Sequence, residues 1–128
     1  MNASNFLESH ILNSIFGNTD FSATLKVGLY NDATDDANGG TEVVGGSYAR
    51  AVITNDRTNF PLTATDKISN AVAVNFAQAT ASWGTATHYR IFDENDNPIV
   101  HGELTTPKTI ATNDSPTIAI GQLEIQAS

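Results

Sequence analysis

The sequence predicts a mainly β chain, an antiparallel β-sandwich or small barrel of about seven strands with one N-terminal amphipathic helix. Three observations predict it. The hydrophobic period changes from about 3.6 to 2 beyond Gly17. Short alternating apolar runs then recur, separated by Gly, Pro, Asn and Asp. The 128 residues include no cysteine, so disulfides, zinc–thiolate sites and thiol nucleophiles are excluded and stability must come from packing and strand pairing.

The helix is expected from Asn5 to Phe16. Leu7, Ile11 and Ile15 recur at spacing four with Leu12 and Phe16 beside them, while Glu8, Ser9, Asn13 and Ser14 take the other face. Asn5 with Glu8 has capping-box spacing, and Gly17 suits the residue that ends a helix. Its apolar face must cover the chain's own sheet or a neighbouring subunit.

Seven strands follow. Leu25, Val27 and Leu29 alternate with Lys26, Gly28 and Tyr30. Then come Tyr48 to Thr54, Ala71 to Phe76, Thr85 to Phe92, Pro98 to Thr105, Lys108 to Ala111 and Thr117 to Gln126. The last changes parity between Ile120 and Leu123, and a bulge at Gly121 would return Ile118, Ile120, Leu123 and Ile125 to one face. The expected core is Leu25, Val27, Leu29, Val72, Val74, Trp83, Tyr89, Ile91, Ile118 and Ile120. Asn31 to Ser47 and Asn55 to Asn70 read as long irregular loops, the second with an apolar Phe60-Pro61-Leu62 patch. The organisation is one domain, 1–128, with the helix at 5–16 and the sandwich at 24–126.

A hairpin register can be derived. If Glu94 to Asn97 form a four-residue turn, Asp93 pairs with Pro98. Tyr89, Ile91, Val100 and Leu104 then share the core face with Gly102. His88 lies opposite Glu103, Arg90 opposite His101 and Phe92 opposite Ile99 on an outer face.

Fourteen acidic against six basic residues give a formal charge of -8, a field that repels nucleic acid and anionic lipid. No apolar run approaches the roughly 20 residues of a membrane span, and the N-terminus lacks signal-peptide features, so synthesis in a cytoplasm is expected. Asp32, Asp35, Asp36 and Glu42 do not match a preorganised calcium loop, and we read them as a solvated acidic loop. The acids around Asp93 to Asn97 are the residues tight turns use. His88 and His101 lack a third ligand, and His10 has no partner in sequence. No serine lies in a Gly-x-Ser-x-Gly elbow, so no enzyme, metal or cofactor is predicted. Trp83 reads as a core anchor, with a sugar-stacking platform as the alternative. Arg50 reads as an interior or interface arginine paired to a carboxylate.

Several segments together resemble a known family. The strand Leu25-Lys-Val-Gly-Leu-Tyr30, the loop ending Gly45-Gly-Ser-Tyr-Ala-Arg50, the strand Ser69-Asn-Ala-Val-Ala-Val-Asn-Phe76 and Thr80-Ala-Ser-Trp-Gly-Thr85 leading into a hairpin are similar to small bacteriophage virion proteins usually labelled tail-fibre-like. The likeness runs over nearly the whole chain and consists of structural punctuation. Two departures fall in variable regions: a longer, more polar 55–66 segment and an acidic hairpin turn.

The resemblance implies a non-enzymatic virion structural protein. With no repetitive shaft, heptads or collagen-like tract, the chain is expected to be a compact subunit clamped on a virion surface. A capsid decoration or cement protein on the outer head is the first expectation, because the 31–47 loop offers no aromatic for host contact. A tail fibre or baseplate accessory protein is the alternative. Expected partners are the chain itself, as a homotrimer or other symmetric oligomer, and the major capsid protein or tail proteins. Met1, Asn2, Ala3, Ser4, Asn5, Phe6, Asp35, Asp36, Phe60 and Leu62 are the candidate partner-contact residues.

Overall fold

The structure, a computed structural model, describes residues 2–16, 23–35, 39–64 and 67–126. Its elements in chain order are β1 (Asn2–Ala3), α1 (Asn5–Phe16), β2 (Thr24–Tyr30), β3 (Ala51–Thr54), β4 (Leu62–Ala64), β5 (Lys67–Ser69), β6 (Val74–Asn75), β7 (Gly84–Phe92), β8 (Pro98–Ile110), β9 (Thr117–Ile118) and β10 (Glu124–Gln126). The main sheet has the order β1-β8-β7-β2-β3; a three-stranded sheet runs β10-β5-β4, and β6 pairs with β9. The recorded pairings of these strands are antiparallel. The fold is mainly β and sandwich-like. One hydrophobic cluster joins Leu25, Val27, Leu29, Ile53, Ile91 and Leu104 of the main sheet to Val74 and Ile118 of the β6–β9 pair and to Phe60 and Leu123, which lie just before β4 and β10.

The helix has the predicted bounds, but its cap lies one residue earlier. Ser4, not Asn5, is the cap: its hydroxyl accepts the Leu7 N–H at 3.1 Å and donates to the Pro98 carbonyl, and its own N–H binds the Ile99 carbonyl at 2.8 Å. One buried serine therefore both starts α1 and fastens it to β8. Phe6 and Leu7 pack on the core, whereas Ile11 is 48% exposed, so the described part of the apolar stripe is covered only at its first turn. The side chains of His10, Leu12, Ile15 and Phe16, and Gly17 itself, lie outside the described residues.

The hairpin register holds from His88 to Ile91. His88 pairs with Glu103, Tyr89 with Gly102, Arg90 with His101 and Ile91 with Val100. Nearer the turn two departures cancel. Asp93 N–H binds the Asn97 carbonyl at 2.9 Å, and Asp96 has φ 64°, which is a three-residue loop with a left-handed third residue. Phe92 then pairs with Pro98 rather than Ile99, and Ile99 is the extra residue of a bulge that restores the expected pairs. Further along, the two expected strands 98–105 and 108–111 are one. β8 takes five steps from Glu103 to Lys108 while β7 takes two from His88 to Ala86, so the strand bulges through Pro107, which has no N–H to contribute to the ladder.

The predicted outer face is not an outer face. Arg90, Phe92, Ile99 and His101 are buried, at 1%, 3%, 6% and 5% exposure. The second long irregular segment also changes character. Residues 55–70 contain β4 and β5, and Phe60 closes a turn on Asp56, with its N–H on the Asp56 carbonyl at 3.0 Å and the Asn59 N–H on Asp56 Oδ1 at 2.8 Å.

Eight of the ten expected core residues are buried; Val72 and Ile120 are 37% and 64% exposed. The reason is Asn70, a polar side chain 1% exposed. Its amide donates to the Val72 and Ala119 carbonyls at 2.8 and 3.1 Å, its Oδ1 accepts the Leu123 N–H at 3.0 Å, and its carbonyl accepts the Gly121 N–H at 2.9 Å. Satisfying that buried amide organises both chain reversals and turns Val72 and Ile120 outward. Gly121, at φ 81°, is the third residue of a turn closed by Gln122 N–H on the Ala119 carbonyl at 3.0 Å. It separates β9 from β10 into different sheets rather than forming the expected bulge within one strand.

Candidate functional site: the clamped loop and the hairpin tip

What covers Arg90, His101 and Phe92 on the second face of the main sheet comes from residues 31–35 and 39–50. The return limb pairs with the end of β2, past the last β3 pair at Val27: Asn31 N–H binds the Thr41 carbonyl and Val43 N–H binds the Leu29 carbonyl, both at 2.9 Å, with Tyr30 bridging Glu42. Val43 enters the core at 1% exposure, while Val44 beside it is 81% exposed. The alternation signal was present in Glu42-Val43-Val44, but two strand-like residues among glycines are too short a run to read as a strand.

Glu42 is the hub of a charged cluster. Arg50 grips it in a fork, Nε to Oε2 and Nη2 to Oε1, each at 2.9 Å. The Tyr48 hydroxyl donates to Glu42 Oε2 at 2.6 Å and accepts the Leu29 N–H at 3.1 Å. Arg50 Nη1 and Lys26 Nζ each reach Asp96 Oδ1 at 3.0 Å, which ties the hairpin tip to the same knot. The Arg50 guanidinium lies 3.6 Å from the Phe92 ring centroid. Where the sequence predicts a carboxylate partner for Arg50, the fold supplies two, 8 and 46 residues away.

Gly28 makes room for this. A Cβ there would stand 2.7 Å from Glu42 Oε2 and 3.2 Å from Phe92 Cε1, so only a glycine lets the clamp sit down on the sheet undisturbed. Burial pushes the Glu42 carboxyl up, but hydrogen bonds from Arg50 and Tyr48 outweigh it and hold it below the usual range. Burial and the Glu42 carboxylate raise the Tyr48 phenol, and the same carboxylate keeps Arg50 firmly protonated. The hydrogen bond from Lys26 holds the Asp96 carboxyl low. At neutral pH the cluster is therefore two carboxylates, two cations and a neutral phenol.

A further cation, this one buried, holds the other limb. Arg90 donates to the Asp35 carbonyl at 3.0 Å and the Gly39 carbonyl at 2.8 Å, with the Tyr30 ring centroid 5.4 Å from its guanidinium carbon. The His101 ring lies 3.1 Å from the Thr34 hydroxyl. Arg90 and His101, expected as a surface pair, are instead the floor beneath the loop. Acidic side chains within it serve the backbone: Asp32 accepts from the Thr41 N–H and hydroxyl, and Asp35 Oδ1 from the Gly39 N–H at 2.8 Å. Asp93 does likewise at the hairpin, accepting from Asn95 and Asn97 N–H at 2.9 and 2.8 Å.

The two segments that carry the family likeness lock together at the end of this loop. Trp83, 3% exposed, donates from Nε1 to the Gly46 carbonyl at 2.8 Å. Its ring meets Tyr48 edge-on with centroids 5.2 Å apart. Thr80 N–H also binds the Gly46 carbonyl, at 3.1 Å. A Cβ on Gly46 would stand 2.7 Å from the Ala81 nitrogen. Trp83 is the anchor, and its polar edge is spent on the loop rather than on a ligand.

The candidate contact residues separate accordingly. Asn2 and Ala3 pair with His101 and Val100 as an edge strand; Ser4 is buried and Phe6 half-buried in the chain's own structure. Phe60 is a core residue, 6% exposed, so it offers no side chain to a partner. Asn5, Asp35 and Leu62 are exposed. Met1 and Asp36 lie outside the described residues. Among the described residues no three His, Cys, Asp or Glu side chains gather as a metal site, and no helix is long and apolar enough to cross a membrane.

In this small β-sandwich the side chains of Trp83, Arg50 and Arg90 are all turned to holding the chain's own loops. The chain belongs to the family described as podophage GP4 fiber I protein gp80, which matches residues 2–126. That membership makes it a phage virion structural protein of fibre type. No curated protein matches the chain.

Proposed function

We propose that the chain is a structural module of a phage tail fibre, assembled as a homotrimer or other symmetric oligomer beside other tail proteins. The observation that carries this reading is the family match over 2–126, which takes in the clamped loop, the Trp83 lock and the hairpin together. Loop composition favoured the head surface, but a fibre family spanning the whole folded unit is the stronger support, and it shifts the reading to the tail. The clamp suits such a role: charge-assisted bonds hold a long loop in one shape, which a repeated contact between subunits needs. Partner contacts are drawn from the exposed candidates Asn5, Asp35 and Leu62 and from neighbouring exposed surface, and the chain acts without catalysis or cofactor.

The test is copy number per virion by quantitative mass spectrometry against the major capsid protein, with gold labelling of intact particles. A few copies per particle and label at the tail are expected. Copies approaching those of the capsid protein, with label over the head, would restore the decoration reading; absence from the particle would overturn both.

A further inference from the structure

The buried Asn70 amide that turns Val72 and Ile120 outward also places them together. Its nitrogen donates to the carbonyls of Val72 and Ala119, at 2.8 and 3.1 Å, so the 70–73 and 119–122 reversals lie side by side. The strand register agrees: β6 pairs Val74 with Ile118 of β9, and two residues further along the same count sets Val72 opposite Ile120. Val72 is 37% and Ile120 64% exposed, and Ala71, Ala119 and Gly121 around them are exposed and small. Asn70 Oδ1 and the Asn70 carbonyl take the Leu123 and Gly121 N–H groups, so buried hydrogen bonds hold the base of this apolar prominence in one shape.

Charge is missing from this surface. No Asp, Glu, Lys or Arg occurs from Ile68 to Tyr89 or from Ser115 to Leu123, the two tracts that β6 and β9 join, in a chain of fourteen acids and six cations. At the margin Lys67 and Glu124 neutralise each other at 3.8 Å. An uncharged apolar centre with a polar rim is the composition of a protein–protein contact. The net charge then selects the occupant. Two copies of a chain at -8 repel where their acidic faces meet, and approach closely only where neither presents an acid. Other exposed apolar side chains lie among charges: Val52 pairs with Lys26, and Val44 is two residues from Glu42.

We propose that Val72 and Ile120 form a contact between copies of this chain, set on the symmetry axis of the oligomer so that Ile120 of one copy meets Ile120 of the next. This rests on the fibre reading for its setting and gives the oligomer a surface beyond Asn5, Asp35 and Leu62. A side chain on a rotation axis meets its own copies whether the axis is two-fold or three-fold, so one small patch serves either assembly. Ala71, Ala119 and Gly121 let the facing backbones come close, and the β-branched Val72 and Ile120 side chains are already stiff, so little rotamer freedom is lost when they are covered. Nucleic acid or an anionic membrane is the poorer occupant, because the field of the whole chain repels both.

The test is sedimentation velocity on the purified chain over a range of concentrations. The parent should associate into one discrete oligomer, and Ile120→Asp should weaken that association about a hundredfold or more, since it buries an unpaired carboxylate at the axis. Val44→Asp, at a side chain that is 81% exposed, should leave it unchanged. Diluted to monomers, all three should melt alike, because both positions are open to solvent in the single chain. The chain has no cysteine, so Ile120→Cys supplies its only thiol: mild oxidation of the oligomer should give a covalent dimer, and Val44→Cys should not. A parent that stays monomeric throughout, an oligomer indifferent to Ile120→Asp or equally sensitive to Val44→Asp, or an Ile120→Cys oligomer that does not cross-link overturns the proposal. These outcomes are separable from the location test: a tail-located chain that stays monomeric refutes the contact alone, and a chain that assembles through Ile120 but is absent from the tail refutes the fibre reading alone.

Discussion

Replacing Glu42 by Gln tests whether the clamp, rather than loop composition, keeps residues 39–50 on the sheet. The side chain keeps its size, but the carboxylate that receives Arg50 Nε, Arg50 Nη2 and the Tyr48 hydroxyl becomes an amide with one acceptor oxygen and a donor facing donors. The Glu42 and Arg50 side chains are 24% and 27% exposed, too sheltered to be treated as a surface pair. Bonds to charged groups contribute roughly 1.5–3 kcal/mol each, and partial compensation by Gln leaves an expected loss of about 2–3 kcal/mol. For a domain of this size that is roughly 8–12 °C in Tm by calorimetry. Hydrogen exchange should quicken first at the Asn31 and Val43 amides, which carry the pairing with the sheet. The pH dependence has a definite sign. The folded Glu42 pKa lies below its unfolded value, so its contribution is present above the unfolded value and is lost as pH falls through the folded one. The parent and Gln variant should therefore differ most near neutrality and converge only as pH falls below the ordinary glutamate range. A Tm change under about 2 °C at pH 7, or a difference that persists undiminished in acid, would refute the clamp.

Other substitutions probe the remaining devices. Gly46→Ala forces a Cβ against the Ala81 backbone and should cost about 1–3 kcal/mol, whereas Gly121→Ala has open space and pays only for φ 81°, about 1–2 kcal/mol. Urea denaturation compares the pair, and Trp83 fluorescence should change in the first only. Ser4→Ala removes the cap and the tie to Pro98 and should destabilise by roughly 1–2 kcal/mol, seen as lost helical signal in circular dichroism before global melting. Ile91→Asp buries a carboxylate at a site 1% exposed and should abolish soluble protein; normal expression with an unchanged Tm would refute the register of β7 on β8.

Local chemistry by itself determined the helix from Asn5 to Phe16, the alternating β2 and the pairing of His88 to Ile91 with Val100 to Glu103, because period, turn residues and parity are properties of neighbouring residues. The family likeness was legible for the same reason: it resides in short runs such as the one around Trp83. Which faces are buried was decided only by the tertiary structure. Arg90 and His101 alternate correctly with Tyr89 and Ile91, yet sequence parity names only two sides of a strand; it took Thr34, Asp35 and Gly39 of the distant loop to cover the second. Val72 and Ile120 likewise fit the core pattern until Asn70, a single buried amide with several backbone partners, turned them outward. The cluster of Glu42, Tyr48, Arg50 and Asp96 was equally illegible, since its members come from a loop, a strand approach and a hairpin tip with no common spacing. Hydrophobic alternation is written one residue at a time, whereas the satisfaction of a buried charge depends on groups that only the folded chain brings within 3 Å.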